Sequence, residues 1–270
     1  MTTPLISTTE LRDRLDRATL LDVRYRTGGG PAGPDEYAAG HIPGAVYVDV
    51  DTALADPPGA GGRHPLPDVE RFQAAMREAG VSHDNPVVVY DDWQSLASGR
   101  CWWLLRYHGH SDVRVLDGGW SAWLADGGSV DRTTPTPVPG DFTARPGGMP
   151  VVEADGVPEV SVLVDARAPE RYRGETEPID PVAGRIPGAV NVPTGRNLTA
   201  DGRFKPAEEL REIYAGVGAV PGADVAAYCG SGVTAVHDVI AMEIAGVSAA
   251  LYTGSFSGWI TDPDRKVETG

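Results

Sequence analysis

Sliding the 270-residue chain along itself brings four segments into register at an offset of about 140 residues. Leu20-Leu21-Asp22-Val23-Arg24 matches Leu163-Val164-Asp165-Ala166-Arg167, and His41-Ile42-Pro43-Gly44-Ala45-Val46 matches Arg185-Ile186-Pro187-Gly188-Ala189-Val190. Val87-Val88-Val89-Tyr90 then matches Val225-Ala226-Ala227-Tyr228. Leu116-Asp117-Gly118-Gly119, followed by Trp123, matches Tyr252-Thr253-Gly254-Ser255, followed by Trp259. A repeat of that length is a domain, so the chain must fold as two copies of one architecture, each able to bury its own core.

Within each copy, short apolar runs alternate with amphipathic stretches. Ser7 and Glu10 form a capping box that predicts a helix through Leu15, and Leu20 to Val23 reads as a buried strand ending in Asp-x-Arg. A Gly/Pro-rich loop at 28–34 and the Ile42-Pro43-Gly44-Ala45 turn lead to a strand near Val46 to Val48. Asp68 to Ala79 is a helix with Val69, Phe72, Ala75 and Met76 on its apolar face, and Pro86 to Tyr90 is a central strand. The second copy repeats the order, with a helix at Pro206 to Tyr214, a strand at 225–228 and a helix from Ala235 to Ala245. Strand–helix alternation predicts an α/β fold, in each copy a doubly wound, mostly parallel sheet with helices on both faces and ligands beyond the C-terminal strand ends. The stretch between the copies is rich in Pro, Gly and Thr. It divides the chain into a first domain at 1–128, a linker at 129–156 and a second domain at 157–270. Related by duplication, the domains are expected to pack face to face around a cleft.

The apolar run Val225-Ala226-Ala227-Tyr228 ends at Cys229, which opens the loop Cys229-Gly230-Ser231-Gly232-Val233-Thr234 before the predicted helix. A thiol at a strand end, in a ring of unpaired backbone N–H groups at the positive end of a helix dipole, is biased toward the reactive thiolate. The glycines allow the backbone to curl around the sulfur. Position alone leaves an inert buried cysteine equally open. The first copy has Asp91 at the matching position, so a nucleophile is present in one half only.

The 38 acidic and 23 basic side chains give a net charge of −15 and form no basic run, which argues against nucleic-acid and anionic-membrane partners. No secretion signal or membrane-spanning run is evident, and a cytoplasmic location is expected. The two cysteines, Cys101 and Cys229, occupy non-equivalent positions of the repeats, which speaks against a disulfide framework or a zinc site.

The duplicated Ile-Pro-Gly-Ala segments, the aspartate of the first copy and the loop from Cys229 to Ala235 resemble the two-domain rhodanese sulfurtransferases. The Cys-Gly-Ser-Gly-Val-Thr pattern is closest to their 3-mercaptopyruvate branch; the thiosulfate branch carries Arg and Lys where this chain has Gly230 and Ser231. The resemblance implies two tandem rhodanese-like domains, the first catalytically inactive. It also implies a double displacement without cofactor or metal, in which a thiolate takes a sulfane sulfur from a small anionic donor and passes it to a thiol, a thioredoxin-like protein or cyanide.

By the same resemblance, Cys229 is the nucleophile, and the N–H groups of Gly230, Ser231, Gly232, Val233, Thr234 and Ala235 stabilise thiolate and persulfide. Asp51 and His64 reach the loop serine, Ser231, across the domain cleft and handle a proton. Arg171 holds the donor's anionic group. The family's second arginine, nine residues after the first, is here Asp180, so carboxylate binding is expected to rest on Arg171 alone or to recruit Arg173 or Arg185. With no cation at 230 or 231, loop charge is expected to favour 3-mercaptopyruvate over thiosulfate.

Two rivals remain at this level. A phosphatase of the Cys-x5-Arg kind would need an arginine where the chain has Ala235. A non-catalytic sulfur carrier would not require one loop to stay intact while its copy is lost. His110, His237 and Cys101 read as structural, Trp120, Trp123 and Trp259 as core or cleft wall, and Asp91 and Asp92 as caps of the first copy's loop.

Overall fold

Tyr90 and Tyr228, at the ends of the two matched apolar runs, show how the duplication is built. In the computed structural model, which describes residues 3–26 and 33–270, each tyrosine hydroxyl accepts the N–H of the isoleucine that opens an Ile-Pro-Gly-Ala turn, Ile42 and Ile186, at 3.1 Å. Each turn closes by a hydrogen bond from alanine N–H to isoleucine carbonyl, with glycine at φ 79° in one and 76° in the other. Proline second and glycine third is the requirement of a type II turn, whose third position needs positive φ. The Asp-x-Arg pairs recur as well: Arg24 grips Asp22 and Arg167 grips Asp165 through Nε and Nη2, and each arginine also donates to a loop carbonyl, of Gly40 or Gly184. Buried pairs of this kind fix geometry more than they add stability.

These motifs pin two five-stranded parallel sheets. The strands of the first are β1 (Leu5–Ile6), β2 (Thr19–Asp22), β3 (Val46–Tyr47), β4 (Val87–Tyr90) and β5 (Val113–Leu116), in the order β1-β5-β4-β2-β3. The second repeats the order as β6-β10-β9-β7-β8, with β6 at Val151–Val152, β7 at Val162–Asp165, β8 at Val190–Asn191, β9 at Val225–Tyr228 and β10 at Ala250–Tyr252. Asp22 pairs with Tyr90 across β2 and β4, and Asp165 with Tyr228 across β7 and β9. All four residues of β4 and of β9 are buried, as central parallel strands covered by helices must be.

Element ends differ modestly from the periodicity. The capping box of Ser7 and Glu10 is present, but its helix stops at Arg12, because Arg14 and Arg17 donate three residues back and tighten the chain into turns. The second helix of interest runs Val69–Glu78, with Asp68 as its cap. Pro206 caps the helix Ala207–Ala215, and the helix after the Cys229 loop runs Ala235–Ile244. The stretch at 129–156 supplies β6 as an edge strand, and residues 28–32 of the Gly/Pro-rich loop lie outside the described residues. No helix among the described residues is long and apolar enough to cross a membrane.

By contacts the chain forms two units. One comprises residues 1–55, 67–149 and 200–203, the other 56–66, 150–199 and 204–270. The short segment 56–66 thus comes from the first half of the sequence but packs with the second unit.

Asp91, the first unit's counterpart of Cys229, is fully buried. Its Oδ1 accepts the N–H groups of Trp93 and Ser95, and its Oδ2 those of Ala97 and Ser98, all at 2.8–2.9 Å. The loop thus wraps a fixed internal carboxylate, while Asp92 pairs instead with Arg26 at 2.6 Å. Asp91→Ala strands four loop donors, three of them buried, and a loss of about 2–4 kcal/mol in unfolding free energy is expected. Urea unfolding followed by fluorescence checks this; a change below about 0.5 kcal/mol, the range of ordinary surface substitutions, would show that the loop satisfies its donors otherwise.

Candidate active site

β9 delivers Cys229 to the C-terminal edge of the second sheet, and the loop that follows folds back over the sulfur. Gly232, at φ 79°, makes the reversal and donates its N–H to Sγ at 3.2 Å. Burial alone would raise the thiol pKa. The Thr234 hydroxyl and the N–H groups of Ser231, Ala235 and Gly232 outweigh it, holding the pKa below the ordinary cysteine value and favouring thiolate. From the turn after β10, Ser255 accepts the Cys229 N–H at 3.2 Å and donates to the Tyr252 carbonyl at 3.0 Å, placing its Oγ 4.0 Å from Sγ. Ser255 sits at φ 50°, a conformation costly for a residue with a side chain, where the first unit has Gly119.

His64 and Ser231 meet beside this loop, His64 Nδ1 lying 2.8 Å from Ser231 Oγ. The segment 56–66 brings His64 there. It closes on itself through reciprocal hydrogen bonds between Gly59 and Gly62 and a bond from Asp56 N–H to the Pro65 carbonyl. Gly62, at φ 98°, presses against the turn after β10: a Cβ on it would lie 2.7 Å from Ser257 Oγ and 2.8 Å from the Gly254 carbonyl oxygen. Ser257 then joins segment and loop, accepting the Arg63 N–H on Oγ at 3.0 Å and donating its own N–H to the Gly230 carbonyl at 2.9 Å.

Arg171 lies in the last turn of the short helix Pro169–Tyr172. Its Nε and Nη2 bond Glu177 at 3.0 and 2.7 Å, and Nη2 reaches Asp180 at 3.2 Å. Asp180, in turn, forms an ion pair with Arg63 Nη1. A Cβ built on Gly230 would lie 2.7 Å from Arg63 Nη2 and about as far as van der Waals contact, 3.5 and 3.6 Å, from Arg171 Nη2 and Nη1. Both guanidinium groups therefore stand over Gly230, next to the thiol.

The second unit thus gathers Cys229, Ser231, His64, Arg171 and the loop Gly230, Gly232, Val233, Thr234 and Ala235. Asp51 belongs to the first unit, on the short helix Val50–Ala53, where it accepts the Tyr25 hydroxyl at 3.0 Å. Neither expected substitute for the second arginine lies at the loop. Arg173 bonds Glu175 on the surface, and Arg185 stacks on Tyr172 and donates to the Gly270 carbonyl. Arg63 stands beside Arg171 at the loop, so the expectation that no cation flanks the thiolate apart from Arg171 is corrected. Sequence reasoning missed Arg63 because its partner, Asp180, is 117 residues away. The nearest available signal was its adjacency to His64. Cys101 is fully buried in the helix Leu96–Tyr107 and its thiol pKa is pushed far up by burial, while His237 is buried and stacks on Phe204. Among the described residues no group of three or more His, Cys, Asp or Glu could hold a metal ion.

Comparison with known proteins agrees with this architecture. The rhodanese-like domain family matches residues 7–126 and again 153–262. SseB of Mycobacterium tuberculosis, named as a thiosulfate sulfurtransferase, is 43% identical over 280 residues, covering 98% of this chain and 97% of the relative. A Pseudomonas aeruginosa protein named as a 3-mercaptopyruvate sulfurtransferase is 41% identical over 279 residues, covering 98% of each. Among solved structures, SseA of Escherichia coli, one of the 3-mercaptopyruvate sulfotransferases, superimposes with a TM-score of 0.83 at 32% identity, covering 95% of this chain and 100% of that one. With its two parallel-sheet units, its thiol-bearing loop in one of them and matches of this extent, the chain belongs to the rhodanese family and is a sulfurtransferase.

Proposed function

We propose that the chain takes a sulfane sulfur from 3-mercaptopyruvate onto Cys229 as a persulfide, releases pyruvate, and hands the sulfur to a thiol, a thioredoxin-like protein or cyanide. The observation that carries this reading is the His64–Ser231 hydrogen bond at the mouth of a thiolate-favouring loop. The Cys229 thiolate attacks the donor sulfur; an S–S bond forms, the C–S bond breaks, and its electron pair leaves on the enolate of pyruvate. The donor's thiol proton has to reach the enolate carbon, and a hydroxyl bonded to an imidazole is suited to relay it. In the second half-reaction the acceptor attacks the outer sulfur and the Cys229 thiolate leaves, a role its lowered pKa favours. A reducing compartment suits a thiol that must stay free.

The names of the relatives divide between two donors, and charge favours one of them here. Arg63 and Arg171 are offset by Asp180 and Glu177, so the site presents no formal excess of positive charge to a dianion such as thiosulfate approaching a thiolate. A unit charge pair about 4 Å apart is worth roughly 4 kcal/mol at an effective dielectric near 20, an upper bound; a third of it is about tenfold in rate. Mercaptopyruvate kcat/KM is therefore expected to exceed that for thiosulfate about tenfold, both measured with cyanide as acceptor. Equal values, or a preference for thiosulfate, would transfer the donor assignment to the thiosulfate reading.

A further inference from the structure

Two arginines converge beside Cys229, and only one of them comes from the unit's own half of the sequence. Arg63 arrives on the 56–66 segment, its backbone N–H fixed by Ser257 and its Nη1 by Asp180. Arg171 is fixed by Glu177 and by the same Asp180. Asp180 and Glu177 are almost wholly buried, with side chains 2% and 4% exposed, so these anchors are rigid. Each arginine keeps one end unspent. Among the described residues, neither Arg63 Nη2 nor Arg171 Nη1 donates a hydrogen bond, and both lie over Gly230. Two planar forks, held from behind and open in front, offer convergent N–H donors of the kind that bind a carboxylate. Glycine at 230 leaves room for this arrangement, since a side chain there would push Arg63 Nη2 aside.

We propose that Arg63 is an anion-binding residue of the active site, acting with Arg171 on the carboxylate of the sulfur donor. The inference rests on the reading of Cys229 as the nucleophile for an anionic donor. It adds a specific residue that the loop sequence does not contain. The two arginines would hold the carboxylate at one end of the donor and leave its sulfur to reach the thiolate at the other. His64, the next residue along the segment, then arrives at Ser231 with the same movement of chain that brings Arg63, so anion recognition and proton relay share one carrier.

The test compares alkylation of Cys229 by iodoacetate, a monoanion, and by iodoacetamide, its neutral analogue of nearly the same shape, in the full-length protein. Arg63→Met, which keeps the length and packing of the side chain, should slow iodoacetate about tenfold, as expected for losing a charge-assisted hydrogen bond, and leave iodoacetamide within about twofold. Arg63→Lys should retain part of the iodoacetate rate. In steady state, Arg63→Met should raise KM for mercaptopyruvate by a similar factor while kcat changes less. If both reagents slow together in Arg63→Met, Arg63 serves to hold the segment and the proposal is overturned. It is equally overturned if neither rate changes. Failure of both reagents to modify Cys229 in the wild type would be a different result and would remove the nucleophile reading itself. A wild type that prefers thiosulfate would shift the donor assignment, while the iodoacetate comparison would still decide the role of Arg63.

Discussion

Cys229→Ser loses sulfur uptake and turnover together. Incubated with donor alone, the wild-type protein should gain the mass of one sulfur atom and release it on addition of cyanide, and the serine variant should do neither. The expected loss of kcat/KM is roughly 10⁴-fold or more, the scale on which removal of a covalent nucleophile acts. The reason lies in the contrast between the two thiols. Cys229 sits among donors that favour its anion, whereas Cys101 is sealed in a helix where burial drives its pKa far up and nothing offsets the cost of charge. A serine hydroxyl in the same loop is too weak an acid to ionise there. Intact-mass spectrometry decides the matter: a sulfur adduct retained in the serine variant and mapped to Cys101 would sink the assignment.

His64→Ala and Ser231→Ala are expected to depress mercaptopyruvate turnover by about 10²–10⁴-fold each, the usual contribution of a general acid–base group. Because the two side chains share one hydrogen bond at 2.8 Å, removing either breaks the same relay. The double variant should therefore be little worse than the more damaged single one. Full additivity in steady-state kcat would show that they act separately and return His64 to a structural role. Alkylation of Cys229 by iodoacetamide should stay near wild type in Ser231→Ala, since the relay acts on the donor's proton and not on the thiol.

Much of this architecture was legible in the sequence because the duplication states each motif twice. The Asp-x-Arg pairs, the type II turns and the strand-end tyrosines are local devices whose residues lie close in the chain or repeat at a fixed offset, and the structure places them alike in both units. Cys229 and its loop were legible for the same reason, since Asp91 marks the identical position in the other copy. Arg63 was not, because its placement depends on Asp180 and on Ser257, contacts that span 117 and 194 residues and leave no periodic trace. Asp180 was visible only as a missing cation. The structure shows it instead as the anchor between two cations, which changes the charge argument for donor choice from absence of cations to their neutralisation. That the helix stops at Arg12 and not at Leu15 was not legible for a humbler reason: apolar spacing cannot distinguish one further α-helical turn from tightened three-residue turns.

The 56–66 segment makes the seam of the duplication different in sequence and in space. Divided at the boundary between the repeats, the gene would give a C-terminal fragment that keeps the thiol, its loop and Arg171 yet lacks His64 and Arg63. Such a fragment would hold the thiol without the proposed proton relay and without one of the two arginines proposed to grip the carboxylate. On the roles proposed for His64 and Arg63, the copy without a nucleophile serves as a lender of side chains. Selection acting on chemistry in one half must preserve the covalent continuity of both, which makes the tandem arrangement hard to dissolve once formed.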